Sequence, residues 1–110
     1  MNSTLESEIT QLHAEICAGL ADPNRILILY ALSQSTRNVT ELCNELNMPQ
    51  PLVSRHLKVL RERGMVGFKR QGTVIQYFLA DIRLIQALDL LRAVMRDGLA
   101  KRAELVEALA

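Results

Sequence analysis

Long apolar runs and a disulfide framework are both missing from this chain of 110 residues. No stretch approaches 18 consecutive apolar residues, which excludes a membrane-spanning helix. The opening MNSTLESEIT carries acids and lacks the basic-then-apolar order of a secretory signal, so a cytoplasmic location is expected. Two cysteines are too few to staple a small secreted scaffold and fit a reducing compartment. Five glycines and three prolines place the chain outside the collagen-like and disordered classes. No Ser/His/Asp grouping, phosphate-cradling Gly-rich loop or pair of buried carboxylates can be read, so an enzyme is not expected. What is present is a composition 49% hydrophobic and 23% charged, enough for one domain over residues 1–110 with a real core.

The net charge of +1 conceals an uneven distribution. Between Ser54 and Arg70 stand Arg55, Lys58, Arg61, Arg63, Lys69 and Arg70 against Glu62 alone, a local charge of +5, and the rest of the chain carries −4. Such a block attracts a polyanion, of which nucleic acid is the commonest.

Periodicity supplies the local structure. Leu5, Ile9, Leu12, Ile16 and Leu20 fall on one stripe of an opening helix, with Ser3 or Thr4 as its cap. Asp22-Pro23 starts a second, mostly apolar helix, Asp serving as N-cap and Pro at the first position. Thr40 is the expected cap of a short third helix facing inward through Val39, Leu42 and Leu46. The turn Asn47-Met48-Pro49 leads into a fourth, opened by Pro51, with a stripe of Val53, Leu57 and Leu60 and a stop at Gly64. The period then changes to that of strands at residues 65–70 and 74–79, around a tip of Gln71, Gly72 and Thr73. Helical spacing returns from Asp81 to about Ala108, with a bend or break expected near Gly98. The predicted class is mainly α, in the order α-α-α-α-β-β-α.

A short helix, a tight turn and a second helix with basic and amide side chains on its outer side make a helix-turn-helix, whose second helix enters the major groove. Gln50 suits adenine, Arg55 suits guanine and Ser54 can bond to several base edges. Thr40, at the start of the bracing helix, joins the candidate contacts, and Lys58 and Arg61 are better placed for phosphate. The hairpin bearing Lys69, Arg70 and Gln71 would be a wing on the flanking backbone.

The segment ELCNELNMPQPLVSRHLKVLRERGMV, the hairpin FKRQGTVIQYFLA and the preceding LADPNRILILYAL together resemble the arsenic-repressor (ArsR/SmtB) family of winged helix-turn-helix regulators. The resemblance runs roughly from Ile9 to Val94. It implies a homodimeric bacterial or archaeal repressor, released from double-stranded operator DNA when an effector binds. It also implies that Gln50, Ser54, Arg55 and His56 read DNA and that residues 70–72 form the wing tip.

The final helix argues for a dimer on its own. Between Ile82 and Met95 only Arg83, Gln86, Asp89 and Arg92 are strongly polar, leaving apolar side chains around most of the perimeter. One packed face of a small monomer cannot hide them, so this helix is expected to meet its symmetry mate. The expected interface is Leu84, Leu88, Leu91 and Met95 with Leu5 and Ile9 of the opening helix. Two-fold symmetry would set the reading helices about 34–36 Å apart, matching an inverted-repeat operator.

The effector is less legible. Where arsenic and cadmium sensors of the resembled family carry Cys-x-Cys, this chain has Cys43 and Glu45. Where its zinc sensors carry Asp-x-His, it has Asp81-Ile82-Arg83, and no histidine follows His56. Zinc needs several converging N or S ligands, so no zinc site is expected, and no other cofactor is assigned. Cys17 and Cys43 are either small buried hydrophobes or a thiol sensor for a trivalent arsenic-like ion or for oxidation. His13, a turn before Cys17, is either a modulator of that thiol or a surface histidine. The competing function is a sensorless DNA-binding module whose state a protein partner sets.

Overall fold

In a computed structural model describing residues 2–109, five helices and one hairpin follow in the expected order. Helix α1 is α-wound at Ser3–Leu12, π-wound at His13–Cys17 and α-wound again at Ala18–Leu20. Asn2, rather than Ser3 or Thr4, caps it, its side chain accepting from the Leu5 N–H at 2.7 Å. In the π segment the Ala18 N–H reaches back five residues to the His13 carbonyl. Helix α2 (Pro23–Gln34) begins as expected, with Asp22 as N-cap and Pro23 in the first turn.

Helix α3 (Val39–Leu46) is capped by Asn38, not Thr40. The Asn38 side chain accepts from the Glu41 N–H at 2.8 Å, and the Glu41 carboxylate accepts from the Asn38 N–H at 2.9 Å. This reciprocal pair satisfies two end donors where one Thr hydroxyl would satisfy one. Asn47 then turns in the left-handed region (φ 53°), and extended Pro49 starts helix α4 (Gln50–Glu62), leaving Pro51 at its second position.

Strands β1 (Val66–Gln71) and β2 (Val74–Leu79) pair antiparallel, with Gln71 opposite Val74. Gln71 is therefore a strand residue, and the tip is Gly72-Thr73, with Gly72 at φ 64° as a tight turn requires. An isolated bridge between Arg37 and Tyr77 ties the hairpin to the loop between α2 and α3.

Helix α5 (Arg83–Leu109) runs unbroken through Gly98. One glycine lowers helix stability by about 1 kcal/mol, which 27 residues of ladder absorb without a break. The core is a single cluster in which Ile28 and Leu29 of α2, Leu42 of α3, and Val53, Leu57 and Leu60 of α4 are fully or almost fully buried. Met65 and Val66 close it from the hairpin, and Ile85 and Leu88 from α5. Leu88 thus serves its own subunit's core and leaves the expected interface set.

Candidate nucleic-acid interface

The stripe Val53, Leu57 and Leu60 turns one side of α4 inward, so the opposite side must face solvent. Gln50, Ser54, Arg55, Lys58 and Arg61 are all exposed there. Thr40 is exposed on α3, and Lys69, Arg70 and Gln71 are exposed at the end of β1. The Arg61 guanidinium lies 5.1 Å from the centroid of the Phe68 ring, joining the basic helix to the basic hairpin. One cationic surface therefore spans two elements.

His56 departs from the expected set. It is only 4% exposed and points into the protein, away from the face that carries Arg55. Its Nδ1 lies 3.4 Å from Arg25 Nη1, while Nε2 is buried without a hydrogen-bond partner among the described residues, 3.9 Å from Asp22 Oδ1. Since a guanidinium can only donate, Nδ1 accepts and the imidazole proton sits on Nε2. Burial pushes the imidazole below its ordinary value of 6.5, opposed by the Asp22 carboxylate and helped by Arg25 and Arg55. The signal was present in the sequence: Val53, His56, Leu57 and Leu60 have the spacing of one buried stripe.

Two arginines outside the expected DNA contacts prove to be internal ties. Arg63 leaves the basic surface, donating from Nη1 to the carbonyls of Ala14 at 2.6 Å and Glu15 at 3.1 Å. Arg25 donates from Nε to Gly19 O at 2.7 Å and from Nη2 to Ala18 O at 3.3 Å. Bonds to main-chain carbonyls leave no side-chain pattern by which a sequence could reveal them.

The two effector candidates lie on different helices. Cys17 is exposed in the π segment, and Cys43 is half-buried against the core. Asp81 is held by Arg83 through contacts of 2.7–3.1 Å, which lower its carboxyl to about 2. Among the described residues no three His, Cys, Asp or Glu side chains are grouped to hold a metal.

Leu5, Ile9, Leu91 and Met95 are exposed by 41, 47, 61 and 59%, and Leu84 is half-buried. The accessible surface is 7841 Å² for a mass of 12.4 kDa. A compact monomer of that mass exposes about 6,100 Å², so the excess is roughly 1,700 Å².

A brace helix, a tight turn, an exposed basic helix and a basic hairpin define a winged helix-turn-helix protein. The family model described as bacterial regulatory protein, arsR family, matches residues 22–67. The HTH-type transcriptional repressor SmtB of Mycobacterium tuberculosis is 46% identical over 77 residues, covering 70% of this chain and 57% of that protein. The chain thus spans little more than half the length of that relative. The crystal structure of M. tuberculosis Rv0081 superposes with a TM-score of 0.76 at 32% identity, covering 86% of this chain and 96% of that one. The homodimeric winged helix-turn-helix DNA-binding domain of Mb0332 from Mycobacterium bovis, a possible ArsR-family regulator, gives 0.75 at 25% identity, covering 90% and 91%. The chain belongs to the arsR family of bacterial regulatory proteins, a family of DNA-binding transcriptional regulators rather than enzymes.

Proposed function

We propose that this chain is a transcriptional repressor that binds an inverted-repeat operator as a homodimer. The observation that carries the reading is the exposed row Gln50, Ser54, Arg55 and Lys58 on α4, continued by Lys69, Arg70 and Gln71 on the hairpin. Arg55 and Gln50 read base edges, Ser54 adds an adaptable contact, and Lys58, Arg61 and the hairpin neutralise phosphates. Thr40, at the exposed start of α3, donates to the backbone. The homodimer has a second support: the surface excess of roughly 1,700 Å² is of the size that one subunit of an obligate homodimer buries. Leu5 and Ile9 of α1 with Leu84, Leu91 and Met95 of α5 form its apolar contact, as befits a relative of the homodimeric Mb0332 domain.

Release from the operator runs through an effector that acts on thiol. Exposed Cys17 is the point of entry and half-buried Cys43 the second thiol, for a trivalent arsenic-like ion or for oxidation. The test of DNA reading is selection of a preferred duplex from a random pool, followed by footprinting of two half-sites. The test of the effector is release of that duplex by arsenite and by peroxide. Replacing both cysteines with serine should abolish the response, and an unchanged response removes the thiol reading.

A further inference from the structure

The C-terminal end of α1 is the negative end of its helix dipole. Two arginines from different elements bond to carbonyls of α1, one at this end and one in the π-wound segment before it. Arg25, on α2, bonds to the carbonyls of Ala18 and Gly19 and extends its remaining nitrogen to His56 in the middle of α4. Arg63, at the C-terminal end of α4, bonds to the carbonyls of Ala14 and Glu15. The reading helix is therefore tied to α1 at two points, seven residues apart along its own axis. Two ties at that separation fix direction as well as distance, which one contact cannot do.

The close approach is built into the sequence. A Cβ at Gly19 would lie 2.8 Å from both Arg63 Cδ and Met65 Sδ, so any larger residue there would force these two side chains to shift. His56 is itself 4% exposed and directly follows Arg55, so any rotation of the tie at His56 swings the guanidinium beside it.

We propose that Arg25 and Arg63 are positioning residues: through the α1 carbonyls they set the angle at which α4 presents Arg55 and its neighbours to DNA. This rests on the reading of α4 as the DNA-reading helix. Neither arginine touches a base. Their contribution is to selectivity, because phosphate contacts tolerate small rotations of a helix whereas bidentate base contacts do not. The end of α1 is then a control point, since whatever moves Ala14 to Gly19 moves the reading face.

The experiment compares the full chain with Arg63→Lys, Arg63→Met and Gly19→Ala. It measures affinity for a selected duplex and for a scrambled duplex at the same salt, with thermal melting alongside. Arg63→Lys keeps the charge but ends one bond short of the Nη1 that makes both contacts. It should lower the ratio of selected to scrambled affinity by about tenfold while leaving scrambled binding at the parental level. Gly19→Ala, which displaces the Arg63 side chain without changing charge, should do the same. Arg63→Met should lose the ratio and some scrambled affinity as well. A purely structural arginine would lower the melting temperature of Arg63→Lys with the ratio unchanged, and that result overturns the proposal. If Arg63→Met melts too low to assay, the two charge-preserving variants carry the decision. A parent chain with no preference between the duplexes refutes the DNA-reading assignment itself, a failure distinct from an unchanged ratio in a selective parent.

Discussion

Truncating Leu91 to alanine measures what the exposed side of α5 is for. Leu91 is 61% exposed in the single chain. Full burial of a leucine contributes about 1.5–3 kcal/mol, so hiding three-fifths of it against a partner contributes roughly 1–2 kcal/mol. The Cβ that alanine retains trims the loss to about 1 kcal/mol per subunit. A two-fold interface contains the site twice, so the dimer loses about 2 kcal/mol and its dissociation constant rises roughly 30-fold. Sedimentation equilibrium over a concentration series reads that shift directly. Val74→Ala is the control: Val74 is 40% exposed but lies at the start of β2, beside Asn38, Thr40 and Thr73. It should leave association unchanged. If Leu91→Ala associates as tightly as the parent, or Val74→Ala weakens association equally, the α5 interface is refuted.

Three further outcomes follow from the same geometry. Lys69→Ala and Arg70→Ala should weaken binding to all duplexes and flatten the salt dependence of log K, the slope falling by about 0.9 for each phosphate no longer neutralised. Stability should be fully present above pH 6.5 and fall as pH drops from there through the lowered value of His56, because the unfolded chain takes up a proton that the buried imidazole refuses. Urea titrations across that window should show the slope in the parent and its loss in His56→Asn. Asn38→Ala removes the side-chain half of the α3 cap and should cost about 0.5–2 kcal/mol by the same titrations.

The order of elements was legible because punctuation and period agree throughout. Asp22-Pro23, Asn47-Met48-Pro49 and Gly64 mark helix ends by backbone chemistry alone, and the change to strand spacing after Gly64 marks the hairpin. Caps were less legible, since Ser3, Thr4 and Thr40 each stand close to an asparagine that makes the better bond. The basic surface was readable from charge and helical spacing, but direction within it was not. His56 sits next to Arg55 in sequence and about 100° away around the helix, enough to put one inside and the other outside. Arg63 belongs to the cationic block by sequence, yet its partners are carbonyls 48 and 49 residues away. Leu88 and Leu91 lie on neighbouring parts of one apolar stripe. Only the packing of α5 on α2 decides which belongs to the core and which to a partner.

Arg55 tests the central claim most directly. Fluorescence anisotropy of the parent and of Arg55→Ala, on the selected duplex and on duplexes varied at each base, should show a loss of about 1–3 kcal/mol at the selected site. Preference should relax at one position in each of two half-sites centred about 34–36 Å apart, with binding to scrambled duplex little changed. Full-strength binding of the selected duplex by Arg55→Ala, with every base preference intact, would contradict the assignment of α4 as the helix that reads DNA.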